Sequence, residues 1–257
     1  MGRIFLLFSY TELVKNLVLR DIKVKYKGSV LGYFWSLIDP MLTMGVFIVI
    51  FSVIVKIPVA NYPLFLLTGI LPWRFFHDSL TRSANSLLIN ANLIKKVFLP
   101  REVFLLVEII SHLINFILSL LIFIPIMFFF NISPSPKLVF IPFVVLVQFL
   151  LVYGLAMFLS SANVFFKDIG YITSFALSLW FYASPVFYSV QMVPENLLPF
   201  YMLNPMVTII ELYRGIILDY PIPHNGFIAY LFFISLAIFF AGNFFFLKNE
   251  RMMMKRI

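Results

Sequence analysis

The chain has 257 residues, 62% of them hydrophobic and only 12% charged, with a mean hydropathy of +1.02. A soluble domain carries roughly 25% charged residues, so composition excludes an ordinary soluble enzyme and points to an all-α polytopic membrane protein. The net charge of +8 reads as basic loops on one side of a membrane rather than as a nucleic-acid surface. The lack of cysteine excludes disulfides, thiolate chemistry and Cys-containing metal sites.

At the N-terminus "RIFLLF" is too short for a signal peptide, and Thr11, Glu12 and Lys15 follow without a small-residue cleavage site. In "TELVKNLVLRDIKVKYKG", Leu13, Val14, Leu17, Val18 and Ile22 recur at helical spacing, with Lys15, Asn16, Arg20, Lys23 and Lys27 on the remainder. Residues 1–29 therefore read as an amphipathic interface helix lying in the plane of the inner leaflet, and 30–257 as a transmembrane domain. The helix acts as an anchor; it can also border a cytoplasmic opening or dock a partner.

Runs of about 20 apolar residues, enough to cross a core of ~30 Å, recur at about 31–55, from 62 into the eighties, and at 103–130, 138–161, 169–188 and 227–247. Six transmembrane helices place both termini on one side. Lys and Arg choose that side: Arg3, Lys15, Arg20, Lys23, Lys25, Lys27, Lys95, Lys96, Arg101, Lys167, Lys248, Arg251, Lys255 and Arg256 fall on it, against Lys56, Lys137 and Arg214 on the other. The termini and the loops after spans two and four are thereby expected in the cytoplasm.

Span two is chemically unusual, with Trp73, Arg74, His77, Asp78 and Arg82 in otherwise apolar sequence. Ionisable groups at membrane depth are costly and face a bundle interior or water. Arg74, Asp78 and Arg82 are spaced four apart, so they share a helix face and can pair. That face is either a charge ladder holding helices together or the wall of a hydrophilic path, continued by Ser79, Ser83, Asn85, Ser86 and Asn90; the path is the preferred reading. His77 stands without a second cluster of His or carboxylates, so no metal site is expected, and His112 and His224 read as packed or interfacial.

The following stretch, "NANLIKKVFLPREVF", mixes apolar residues with Lys95, Lys96, Arg101 and Glu102. It fits a short amphipathic helix ended by Pro100, and its bulky apolar face suggests that a soluble protein sits on it. Further on, "SPVFYSVQMVPENLLPFYMLNPM" carries Pro185, Pro194, Pro199 and Pro205, so no continuous spanning helix fits there. No G-x-x-x-x-G-K-[ST] loop, G-x-S-x-G elbow or H-E-x-x-H is present; the chain is not expected to be an enzyme or to hydrolyse ATP itself.

Three stretches, "RDIKVKYKGSVLGYFWSLIDPML", "LLTGILPWRFFHDSLTRSANSLLINANLIKKVFLPRE" and "SPVFYSV" with "LNPMVTIIELYRGIIL", carry a resemblance. They resemble, over essentially the whole chain, the permease subunit of O-antigen and teichoic-acid polysaccharide ABC exporters, of the ABC-2 type. The resemblance implies a homodimer with the conduit at its interface, in a bacterial inner membrane. It implies two copies of a soluble ABC ATPase carrying the ATP and Mg²⁺, and no cofactor in this chain. The implied substrate is a polysaccharide on undecaprenyl diphosphate, moved from cytoplasm to periplasm. Residues 90–102, with Leu93, Lys95, Lys96, Arg101 and Glu102, would be the coupling segment. Trp73, Arg74, His77, Asp78 and Arg82 would line the channel. Residues 184–206 would form two short re-entrant helices, whose Phe187, Tyr188, Met192, Phe200 and Tyr201 crowd the exit with Tyr182. An interfacial aromatic belt accounts for any one of these residues; the set with its prolines reads as an outer gate. An ABC-2 permease for another cargo (teichoic acid, lipid or drug), an integral-membrane enzyme on polyprenyl phosphates and a proton-coupled carrier are the alternatives.

Overall fold

The computed structural model describes residues 10–26, 28, 29, 31–56, 59, 61–96 and 99–256, and among them there is no β-strand. The helices are α1 (Thr11–Tyr26), α2 (Trp35–Phe47, prolonged by a π-helical stretch Ile48–Ile54), α3 (Tyr62–Ile89), α4 (Ala91–Lys96), α5 (Glu102–Phe129), α6 (Ile141–Phe165), α7 (Ile169–Tyr182), α8 (Leu198–Tyr201), α9 (Pro205–Ile217) and α10 (Asn225–Met254).

Three segments among the described residues combine the length and apolarity needed to cross a membrane: Glu102–Phe128, Pro136–Phe165 and Asn225–Met254. The apolar stretches Met41–Ile54 and Ile169–Tyr182 are shorter. α3 has 28 residues but carries the charges of the second expected span. The fifth expected span departs most from expectation. α7 stops at Tyr182 after 14 residues, a rise of only about 21 Å, because Pro185 can neither donate to nor pack against a continuing turn. The sixth is longer than expected: α10 runs 30 residues and takes Lys248 and Arg251 into its last turns.

α3 is the hub, packed by α2, α5, α6, α7 and α9, and from Leu64 to Trp73 every residue is buried. In a bilayer, lipid tails are as apolar as leucine, so helices associate through close packing and internal hydrogen bonds rather than through burial from water. Both devices are present. At the α6–α10 crossing the backbones touch: a Cβ on Gly242 would stand 2.0 Å from the Gly154 carbonyl oxygen, and one on Gly154 would stand 2.4 Å from that of Ile238. Gly242→Val is expected to cost roughly 1–3 kcal/mol through overpacking, read as a lowered thermal midpoint of the detergent-purified protein; an unchanged midpoint would show that this contact does not hold the pair.

The hydrogen bonds are carried by buried amides. Gln148 of α6 donates to the Pro72 carbonyl at 2.8 Å and accepts from the Tyr213 hydroxyl at 3.1 Å, tying α3, α6 and α9 at the proline inside α3. Asn163 donates to the Ala84 carbonyl at 2.9 Å and to Asn85 Oδ1 at 3.1 Å, and accepts from the Gly170 amide at 2.9 Å. These polar groups, placed where water is scarce, would be expensive unpaired, so they set register.

The apolar stripe of α1 packs on protein: Val18 is buried against Val103 and Val107 of α5, flanked by Leu13, Val14, Leu17 and Ile22. On α2, Leu42, Val46, Val49 and Val53 form one exposed stripe.

Candidate functional site

The order of contacts along α3 measures how the segment after α7 runs. Gly170, at the start of α7, meets Asn85; Trp180 packs edge-on to Phe76 and Phe181 on Trp73, with centroids 5.1 and 5.6 Å apart. Past the end of α7 the non-helical chain continues in the same direction. The Val186 carbonyl lies at Gly69, and the Phe187 carbonyl accepts from the Tyr62 hydroxyl at 2.8 Å. The chain then crosses a 3₁₀ turn at Val190–Met192 and the four-residue α8, and returns. Asn204 accepts from Trp180 Nε1 at 2.8 Å and donates to the Ala183 carbonyl at 2.9 Å while capping α9 through the Met206 amide. With Pro205 in the first turn, where its missing N–H costs nothing, α9 runs back to Arg214, level with Phe65 and Gly69.

Arg214 is the anchor of this return. Its side chain is fully buried. Nη1 donates to Glu211 Oε1 at 2.7 Å, Nη2 donates to the Val186 carbonyl at 3.0 Å, and the guanidinium carbon stands 3.5 Å over the Phe65 ring. A Cβ on Gly69 would come within 2.6 Å of the Val186 carbonyl oxygen, so only glycine lets the chain approach here. Arg214, counted in the sequence among the charges of the outer side, is buried within α9 and not exposed: Glu211 one turn earlier neutralises it and the Val186 carbonyl accepts from it, which makes burial possible.

On the polar face of α3 the charge ladder, the alternative to the hydrophilic path, does not form among the described residues. Arg74 instead reaches across to α2, with Nη1 2.7 Å from Asp39 Oδ2 and Nη2 3.4 Å from Thr43 Oγ1. Asp78 Oδ1 lies 2.9 Å from His77 Nδ1, and Arg82 is exposed. The physical reason is proximity: α2 presents a carboxylate to Arg74 at contact distance, while Asp78 finds an adjacent imidazole. Trp73 is buried, and with His77, Ser178, Phe181 and Tyr182 it lines a cavity of about 190 Å³ between α3 and α7.

Of the aromatic residues assigned to the outer segment, four cluster. Phe187 stacks on Phe51 at 4.9 Å and lies edge-on to Tyr182 and Tyr188. Tyr188 and Tyr201 share a hydrogen bond of 2.8 Å. Met192 and Phe200 are exposed. In the 90–102 segment, Lys95 and Lys96 are exposed while Ile94 is buried and Leu93 half-buried against the core. Arg101 and Glu102 turn inward: Glu102 is 4% exposed, and Arg101 is paired with Glu250 of α10 at 3.0 Å.

The family profile described as ABC-2 type transporter matches residues 12–218. The chain belongs to the ABC-2 type transporter family. This ABC-2 chain is 33% identical over 242 residues to the O-antigen export system permease protein RfbA of Klebsiella pneumoniae, covering 91% of the chain and 92% of that protein. It is 31% identical over 239 residues to the protein of the same name from Myxococcus xanthus, covering 92% of each. It is 23% identical over 235 residues to the polysialic acid transport protein KpsM of Escherichia coli. Motif reading of the ABC-2 chain missed Asp39, Gln148, Asn163, Arg214 and Glu250 as structural partners. Arg214 alone had a local signal, the i,i+3 spacing to Glu211; the others find their partners across helices distant in sequence.

Proposed function

We propose that this permease is the channel-forming subunit of an ATP-driven exporter that moves a polysaccharide on undecaprenyl diphosphate from the cytoplasm across the bacterial inner membrane. The observation that carries the reading is the identity of about a third to O-antigen export permeases over nine-tenths of both chains. In this reading the chain crosses six times with both termini cytoplasmic. α7 and the start of the non-helical run after it make the fifth crossing, and residues 184–206 re-enter the outer leaflet, with covering protein satisfying the irregular backbone. Two copies join through the exposed faces of α2 and α7 to enclose the path, and α1 lies along the inner leaflet. The 90–102 segment receives a separate ATPase, with Lys95 and Lys96 as the groups facing it.

A gentle detergent pull-down through a C-terminal tag tests the partner. Recovery of a soluble ATPase in equal amount is expected, and Lys95→Glu with Lys96→Glu is expected to lower its recovery about tenfold, the effect of reversing charges at an interface. Repeated recovery of the folded permease alone would contradict the reading. Cargo is tested by deletion: cells lacking the chain are expected to accumulate lipid-linked polymer in the cytoplasm, whereas an unchanged polymer distribution would favour another ABC-2 cargo.

A further inference from the structure

The last turns of α10 and the turn after them hold two helix ends near the Ile89 end of α3. Arg101 Nη1 donates to Glu250 Oε1 at 3.0 Å, Arg101 Nε lies 3.3 Å from Met254 Sδ, and the two charged side chains are only 16% and 11% exposed. Arg256 reaches the other side, donating to the Phe165 carbonyl at 3.4 Å with its guanidinium 5.4 Å from the Phe165 ring. The end of α10 and the turn that follows it therefore touch both the residue that opens α5 and the residue that closes α6.

Pro100 separates α4 from α5, so no continuous helix sets the position of the 90–102 segment. Arg101 follows that break directly, and its charge-assisted bond is short and directional. At the same time α10 is locked to α6 by the backbone contact of Gly154 with Gly242. A displacement of the segment thus has a stiff route into the α6–α10 pair, which runs the depth of the membrane.

We propose that Arg101 and Glu250 are a positioning pair, a strut that carries movement of the 90–102 segment into α10 rather than a contact with the ATPase. The proposal rests on the reading of that segment as ATPase-facing. Its test uses the complete permease–ATPase complex in inside-out vesicles supplied with lipid-linked polysaccharide extracted from the source cells, measuring polymer moved and ATP hydrolysed together. Glu250→Gln, which keeps the side-chain shape, is expected to lower polymer moved per ATP by about fivefold or more, the lower range of coupling between sites. The pair Arg101→Cys with Glu250→Cys is expected to do the same. Joining those thiols with a bifunctional reagent of matching span, selective because the chain has no other cysteine, is expected to restore the ratio.

A wild-type ratio in Glu250→Gln overturns the strut. Should that variant not fold, a ratio that stays low after the cysteine pair is joined overturns it equally. Wild-type vesicles that retain no ATPase remove the functional reading and the strut together, so the two failures are distinguishable.

Discussion

Arg214→Met is expected to destabilise the folded permease by roughly 3–5 kcal/mol, the cost of removing one partner of a buried ion pair. The side chain is fully buried, its partner Glu211 is 13% exposed, and the Val186 carbonyl would lose its donor. The loss should concentrate in residues 184–204, because Arg214 joins the extended run after α7 to the returning α9. The measurement is thermal unfolding in detergent together with proteolysis of that segment from outside. Pairing Arg214→Met with Glu211→Leu should recover part of the midpoint, since two apolar residues in place of a buried pair are often tolerated. A midpoint within one degree of wild type for Arg214→Met alone would remove the clamp.

Arg74→Ala is expected to lower polymer export about tenfold or more, in line with losing one charge interaction made only along a transport path. Folded protein in the membrane should stay near the wild-type amount. The two effects separate because the Arg74–Asp39 pair is 30% and 61% exposed, and on a water-filled path such a pair is worth only about 0–1 kcal/mol in stability. Asp39→Asn should behave similarly if Asp39 orients the guanidinium. The checks are surface polymer in intact cells and the folded fraction by size-exclusion chromatography. Normal export in Arg74→Ala would exclude Arg74 from the path and return the polar face of α3 to a structural role.

Much of the architecture was legible where the signal is local. The stripe of α1 and the apolar lengths of α5, α6 and α10 follow from periodicity and run length, whereas the fifth run was carried past Pro185 to 188 and the Asn204–Pro205 start of α9 went unread. Partner choice was not legible. Spacing alone offered Asp78 to Arg74 on the same helix face, yet Asp39 takes it from α2, because a carboxylate thirty-five positions away in sequence is invisible to periodicity. Arg214 read as an outer charge for the same reason: its acceptor is the Val186 carbonyl, and backbone acceptors leave no mark on composition. Arg101 read as a coupling residue of the 90–102 segment, and its partner Glu250 stayed hidden because the tail beyond the sixth apolar run carries no periodic sign that it folds as helix against Arg101.

The central claim, ATP-driven polysaccharide export through this chain, is tested most directly in inside-out membrane vesicles. These carry the permease with its co-purified ATPase and are given lipid-linked polysaccharide on the outside. ATP should move the polymer to a position protected from an added glycosidase, and the ATPase-inactive complex should not. Protection that arises without ATP, or hydrolysis that proceeds with no protected polymer while another lipid or solute is taken up, would contradict it.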